Sequence, residues 1–460
     1  MRIQLVKRPS GRGMTLQRGD HDFDRQVLET SFNGRDPGRR PQVMVQANDV
    51  YEVIAAVRRA ARENLRISVC SGGHSWAQNH LREGGMLIDV GRLNSIEVNR
   101  SAQRAIVGPG CWSVDLDQRL KREGLFFPVA HAPDVCMGGF LLQGGFGWGG
   151  RKFGLGCQNV LGVDVVLADG QLVHASADDN ADLYWAARGA GPGFFGVVVR
   201  YHLQLHARPR ISAMMVQVFA MRHLEEVFRW NDEVAPDVAR TVELQMLLTP
   251  KAMGIFRPGI EVLAPVLADS WKEAREAVAF LRDSRLRSKA SFTSPLVPLS
   301  TALMSWGASV THFPARMRWC ADNAWLTAPV QDMLPALQQV ADSLPPAPSH
   351  ALWLNWYPPS NRPDMAFSME SNRYFACYGE WEDATGDAAN ERWATDCMRR
   401  FEPFAKGIQL ADENLGQRPA RFMADANLMR LERIRAQYDP EGRFHAWMGR
   451  PPLPEQEQSE

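Results

Sequence analysis

The chain has 460 residues, 45% of them hydrophobic and 23% charged, a balance that can bury a sizeable core and excludes a disordered chain or a disulfide-stapled miniprotein. Lys+Arg and Asp+Glu each number 52, so the formal charge is zero and no bulk field recruits nucleic acid or an anionic membrane. Seven scattered cysteines without a Cys-x-x-Cys pair point to neither a zinc knuckle nor a disulfide framework, and fit a reducing compartment.

At the N-terminus Pro9 and Gly11 interrupt the chain before an apolar run develops, so no secretory leader is expected. No stretch approaches the roughly 18 uninterrupted apolar residues of a membrane helix, and a cytoplasmic protein is expected. Between about 41 and 205, short β-rich runs alternate with helical ones, the pattern of layered α+β or α/β architecture. Asn48 or Asp49 can cap a helix whose Val50, Val53, Ile54 and Val57 share one face. Residues 66–70 and 86–90 predict strands, 105–107 runs into Gly108-Pro-Gly110, and Ser113 is the expected cap of a helix reaching Glu123. Residues 163–168, Asp169-Gly170 and 171–174 predict a hairpin on the dipeptide that tight primed turns prefer. Past about Arg208 glycine thins out and a second domain is expected, with β-like runs at 242–248 and 260–263 and an amphipathic helix from about Asp269 to Leu281. The aromatic runs 351–357 and 374–381 favour strands, with Trp353 and Trp356 expected on one sheet face. Leu428, Leu431 and Ile434 predict a helix over 424–437, stopped by Tyr438-Asp-Pro440, and the residues from Pro452 read as a solvated tail.

Ser71-Gly72-Gly73-His74-Ser75 leaves a predicted strand directly. Adjacent glycines there expose consecutive backbone N–H groups, a concavity suited to a pyrophosphate, although Gly-Gly-His alone also fits an ordinary loop. Between Gly138 and Gly156 nine of nineteen residues are glycine, among them Gly138, Gly139, Gly144, Gly145, Gly147 and Gly154. A flexible linker would not carry Phe140, Leu141, Phe146, Trp148 and Phe153, so this backbone is expected to pack against something large and flat, such as a cofactor ring system. Gly191-Pro-Gly193-Phe-Phe-Gly196 satisfies G-x-G-x-x-G, yet a helical run precedes it and a β run follows, the reverse of a dinucleotide fingerprint. No Walker A, H-E-x-x-H or G-x-S-x-G sequence occurs, which removes support for phosphoryl transfer, zinc proteolysis and serine hydrolysis.

Taken in order, Ser71 to Ser75, Asp89, Gly108-Pro-Gly110, the cluster from Gly138 to Gly147, Asn159, Asp169-Gly170, Asn180-x-Asp182-Leu183-x-Trp185-Ala186-x-Arg188-Gly189 and Phe195-Gly196-Val197-Val198 resemble the FAD-binding domain of the vanillyl-alcohol-oxidase superfamily. Tyr438-Asp-Pro-Glu-Gly-Arg-Phe444 with Pro451-Pro-Leu453 is similar to the C-terminus of its berberine-bridge-enzyme-like branch, whereas the stretch between Arg208 and Phe404 matches only in general character. The resemblance implies an α+β fold: a two-subdomain FAD-binding domain over 1–207, completed by 412–460, and a substrate domain over 208–411 built as an antiparallel sheet backed by helices. It implies that Ser71, Gly72, Gly73, His74, Ser75, Gly110, Val135, Gly138, Gly139, Gly144, Gly145, Gly147, Gly154, Asn159, Gly196 and Val198 hold FAD, with His74 bonded covalently to the flavin 8α-methyl. Many members add a cysteine six residues before the second Gly-Gly pair. That position is Ala132 here, and Cys136 lies only two residues before the pair, so one bond is expected, with Cys157 as packing. The family residue that controls dioxygen access corresponds to Val135, whose modest bulk leans towards an oxidase that makes hydrogen peroxide. No metal is implied.

On the substrate side, the Tyr-x-Asn of many members corresponds to Gln409 and Ala411. A proton acceptor is still needed within about 3 Å of the group oxidised, so a base is expected from the second domain's sheet. The candidates are Tyr374, Tyr378 and Glu380, with Gln409 at the family's tyrosine position and His350 and Asn355 behind them; each is alternatively a sheet residue satisfied by a neighbour. The expected reaction removes a hydride from a C–OH or C–N centre of a small organic molecule, with dioxygen as acceptor. A flavin dehydrogenase or oxidative cyclase using another acceptor stays open, as does a flavin- or nucleotide-binding protein without turnover, and the sequence leaves the oligomeric state undetermined.

Overall fold

The computed structural model describes residues 13–254, 257–315 and 317–449. The expectations for the first residues, for Pro451-Pro-Leu453 and for the tail from Pro452 lie outside the described residues. The first sheet orders Met14–Gln17, Val43–Gln46, Met86–Asp89 and Ile67–Cys70, the last three mutually parallel. Of the two expected caps, Asp49 is the one used: its carboxylate accepts from Glu52 N, and Val50–Arg62 then buries Val53, Ala56, Val57 and Ala60. The Ser71 to Ser75 loop leaves the carboxyl end of a parallel strand, where open parallel sheets characteristically present ligand sites.

The second sheet is antiparallel, in the order Ile96–Asn99, Arg104–Val107, Val197–Gln204, Val160–Val166, Leu172–Ser176. Its expected hairpin forms, but not on a primed turn. Gly170 N donates to Leu167 O and Leu167 N to Gln171 O, with Gly170 alone at φ +79°, so the loop has three residues and glycine supplies the left-handed position. Ser113 is likewise not the cap of its helix: it is the first residue of Ser113–Arg122, and its hydroxyl donates to Val135 O. Around Gly191 a helix, Ala181–Ala187, precedes the glycines and a strand follows, as the sequence indicates.

The third sheet has nine strands and runs from Phe292–Thr293 through Ile211–Ala220, Gly259–Ala268, Gln245–Thr249, His350–Asn355, Arg373–Trp381 and Arg318–Leu326 to Ala405–Gly407, with Val297–Pro298 on its edge. Helices Leu224–Val234, Val330–Asp342 and Asp387–Phe401 back one face and bury Phe228, Leu337 and Met398 against Trp353, Phe375 and Cys377. Because strand side chains alternate, Tyr374 and Tyr378 point the other way and pack with Trp319, Trp325, Phe32 and Trp76. Trp353 and Trp356 do not share a face. Three residues apart, they have opposite parity, and Trp356 joins the second cluster. The helix expected from Asp269 to Leu281 is broken at Val278 into Trp271–Ala277 and Ala279–Arg282, although Ala274, Val278 and Leu281 still bury together.

Strand Arg318–Leu326 carries two polar residues in its middle, both fully buried. Arg418 donates Nε to Asp322 Oδ2 at 2.8 Å and Nη2 to Asp322 Oδ1 at 2.6 Å, and it also donates to Asn323 O. Arg418→Ala is expected to destabilise the fold by about 3–5 kcal/mol, because it strands a buried carboxylate. Denaturant unfolding reads this directly. At the C-terminus Asp425–Tyr438 is followed by a return to the first sheet, with Ile67 N donating to Arg443 O and His445 N to Ile67 O. No helix among the described residues is long and apolar enough to cross a membrane.

Candidate active site

A cavity of about 510 Å³ is walled on one side by Ser71, Gly72, Gly73, His74 and Ser75 and by the start of helix Met137–Leu142, and on the other by the large sheet. Its volume suits a drug-sized or cofactor-sized ligand. Bare backbone faces it from two loops. At Gly73, φ is +64° and a Cβ would lie 1.6 Å from Thr30 O, so only glycine fits. At Gly72 a Cβ would come within 2.6 Å of Cys136 Sγ, and at Gly138 within 2.7 Å of Ser71 Oγ, which accepts from Gly139 N. Gly139 differs. Nothing lies within 4 Å of where its Cβ would stand, and the residue is exposed on the cavity wall, leaving space for a flat group against the main chain.

The ring of His74 stacks on Phe32 with centroids 4.0 Å apart and meets Trp76 edge-on. Burial lowers its pKa, only partly offset by Asp134 3.6 Å from Nε2, so the imidazole is neutral. Nε2 is buried without a hydrogen-bond partner. Val135, Gly145, Gly196 and Val198 also line the cavity. Gly110, Gly144, Gly147, Gly154 and Asn159 are not among its lining residues. Gly110 and Gly147 are pressed on the carbonyls of Gly91 and Val129, Gly144 on the Phe367 ring and Gly154 on Gln158. Asn159 donates to Phe153 O and Leu155 O. These five shape the glycine-rich run from behind.

On the opposite wall Tyr374 and Tyr378 both donate their hydroxyls to Asp412 Oδ2, the second at 3.0 Å, and Trp76 Nε1 donates to Asp412 Oδ1 at 2.6 Å. Burial, and next to it the Asp412 charge, hold both phenols well above their ordinary pKa. Asn323 fixes this carboxylate from the neighbouring strand: its Nδ2 donates to Gln409 O and Asp412 O, and its Oδ1 accepts from Gln409 N. Gln409 itself lines the cavity. Sequence reasoning passed over Asp412, Trp76 and Asn323. The available signal for Asp412 was an acidic pair, Asp412-Glu413, ending an otherwise uncharged stretch.

The remaining lining is largely apolar, including Phe146, Trp148, Met214, Val216, Leu263 and Phe313, and it also includes Glu261, His312 and His350. His350 Nδ1 donates to Pro348 O at 3.2 Å, which leaves Nε2 a buried, unpartnered acceptor. Glu380 is not a lining residue. It lies beside His350, its Oε1 3.1 Å from Nδ1, and neither carboxyl oxygen is hydrogen-bonded. Asn355 pairs with Asn231 and Leu244 O, away from the cavity. Burial holds the Glu380 carboxyl well above the usual carboxylate range, so its protonated form is the one that suits the fold. The stability it contributes is present at low pH and lost as pH rises through the raised folded pKa. Glu380→Gln keeps the shape and cannot ionise, so its Tm is expected to gain on that of the unsubstituted protein as pH rises above the ordinary carboxylate range, read by thermal melts across pH.

A family model described as an FAD binding domain matches residues 41–176. The chain is 30% identical over 425 residues to the FAD-linked oxidoreductase janO of Penicillium janthinellum, covering 90% of this chain and 92% of that one. Among solved structures, 6-hydroxy-D-nicotine oxidase from Arthrobacter nicotinovorans superposes with a TM-score of 0.81 at 23% identity, covering 98% of this chain and 100% of that one. BBE-like 1 from Physcomitrella patens gives 0.84 at 21%, covering 96% and 97%.

Proposed function

Because the chain belongs to the FAD-linked oxidoreductases of the vanillyl-alcohol-oxidase superfamily, in the berberine-bridge-enzyme-like branch, we propose that it is an oxidase acting on a C–OH or C–N centre of a small organic molecule. The substrate loses a hydride and a proton, and dioxygen gains both as hydrogen peroxide. The observation that carries this is the carboxylate of Asp412, holding Tyr374, Tyr378 and Trp76 in the wall of the same cavity that the bare backbone of Gly72, Gly73 and Gly139 lines. FAD, when bound, supplies the two-electron acceptor.

We assign the cofactor to residues 1–207 with 412–460, and the substrate wall to 208–411. His74 is the single covalent tether, supported by its neutral ring and unpartnered buried nitrogen. The Cys136 thiol is turned to Gly110 O and its pKa is raised by burial, and Cys157 packs on Met365, so neither offers a thiolate for a second bond. With their raised pKa values Tyr374 and Tyr378 are poor bases alone. A phenol that takes the substrate's proton while passing its own to Asp412 avoids a buried phenolate, and the proton comes to rest on the carboxylate. Val135, a lining residue of modest bulk, supports an oxidase over a dehydrogenase. The apolar lining together with the acceptors His350 Nε2 and Glu261 suits a mainly apolar substrate bearing an amine or hydroxyl remote from the oxidised carbon. The described cysteines are all buried and form no disulfide with one another, in keeping with a reducing, cytoplasmic setting.

A panel of alcohols, amines and sugars mixed anaerobically with the enzyme tests the proposal through bleaching of the flavin absorbance. Rapid return of colour in air, with one peroxide per substrate, is expected; slow reoxidation would mean a dehydrogenase, and no bleaching by any class would remove the assigned chemistry. Gly139→Leu fills the gap beside the backbone and is expected to lower flavin content at least about tenfold, the effect of only 1.4 kcal/mol of lost binding. The flavin-to-protein absorbance ratio measures it.

A further inference from the structure

We infer that the outer face of the five-stranded sheet carries a divalent transition-metal site, of the kind zinc occupies, formed by Asp164, His174 and His202. These residues come from three adjacent strands. Asp164 is paired directly with His174 on one side and with Arg200 on the other, so His202, two residues beyond Arg200, shares their face. The alternate residues Val163, Val165, Ala175, Tyr201 and Leu203 fill the core, which fixes the direction of all three side chains.

The geometry is that of a ligand set. His174 Nδ1 lies 2.8 Å and His202 Nε2 3.1 Å from the same oxygen, Asp164 Oδ1, and one ligand atom from each residue lies within 4.8 Å of the others. With metal–nitrogen and metal–oxygen bonds of about 2.0–2.2 Å, ligand atoms of a tetrahedral site stand about 3.3–3.6 Å apart, so the two nitrogens need only move slightly outward from Asp164 Oδ1 to admit an ion. The two rings are nearly perpendicular, 5.0 Å between centroids, and converge without stacking. Each imidazole coordinates as the neutral ring once its proton resides on the other nitrogen.

The strand is also locally built around these rings. Gly162, opposite His202, is a mid-strand glycine, which weakens a strand unless something must approach closely. A Cβ there would come within 3.0 Å of His174 Cε1 and 3.3 Å of Nε2. Arg200 Nη1, 3.5 Å from Asp164 Oδ2, opposes a cation; half exposed, it is free to swing away. Two imidazoles and one carboxylate, with solvent completing the shell, select zinc, nickel or copper over magnesium or calcium.

Calorimetric titration of chelator-treated holoenzyme with zinc chloride tests the site. One equivalent is expected to bind with micromolar or tighter affinity, weakened at least about tenfold in His174→Ala, His202→Ala and Asp164→Asn, and tightened in Arg200→Ala. Cobalt(II) in place of zinc is expected to give visible ligand-field bands that His174→Ala abolishes. Flavin absorbance and metal-free thermal melts establish that each variant is folded, and the near-isosteric Asp164→Asn serves if an alanine variant is not. Absence of saturable one-equivalent binding, or binding that none of the three ligand substitutions weakens, would overturn the site.

Discussion

Asp412→Asn is expected to lower turnover by about 10²–10⁴-fold, the usual worth of a positioned proton acceptor, while flavin content and fold stay intact. Asparagine retains an oxygen that can accept from the phenols and nearly the same volume. It removes the charge that can receive a proton. In the native site three donors converge on the carboxylate, Trp76 on Oδ1 and both tyrosines on Oδ2. The amide leaves at least one of the three donors without its acceptor, so some fall in Tm is expected in either case; if Asp412 were merely a structural tie, kcat would change little. Rapid-mixing reduction by saturating substrate separates the two cases: a slow reductive step with normal flavin loading supports the relay, and an unchanged step removes it. Tyr374→Phe and Tyr378→Phe, compared in the same assay, identify which phenol faces the substrate, since only that one is expected to approach the Asp412→Asn defect.

How much of this was legible in the sequence follows from where each constraint resides. Gly72, Gly73 and Gly138 were readable because each close approach restricts its position to glycine, and the glycine shows in the sequence even though the neighbour it admits, Cys136, Thr30 or Ser71, is distant along the chain. Asp49 and the helix after it were readable for a local reason, a cap acting three residues away. Asp412 was not. Its place is set by Asn323, 89 positions earlier, on a strand whose buried Asp322 and Asn323 break the apolar pattern and are tolerated only because Arg418 and the backbone of 409–412 satisfy them. The candidates Tyr374, Tyr378 and Glu380 share strand parity, yet only the tyrosines reach the cavity, because Glu380 lies beyond them beside His350. Parity gives the face of a sheet; position along the strand depends on which parts of that face the neighbouring loops cover.

His74→Ala is expected to convert a bound flavin that survives acid precipitation into one released to the supernatant. The unsubstituted protein should give a yellow pellet and, on digestion, a single histidyl-flavin peptide. The variant should give a white pellet and a yellow supernatant. Its residual turnover is expected to fall at least about tenfold, equivalent to 1.36 kcal/mol in the barrier, because a carbon–nitrogen bond to the ring both fixes its position and makes it a stronger electron acceptor. Structural loss is separable from this. Removing the imidazole deletes the partner stacked on Phe32 and edge-on to Trp76, so some fall in Tm is expected, but it removes no glycine of the cavity wall and no hydrogen-bond donor to Asp412. A measured reduction potential distinguishes the tether from packing: replacement by glutamine, which fills most of the space without a ring nitrogen, should lower the potential as far as alanine does. If the unsubstituted protein released all its flavin in acid, or yielded a cysteinyl peptide from Cys136, the tether would not be His74, and the unpartnered nitrogen at the cavity wall would require another ligand.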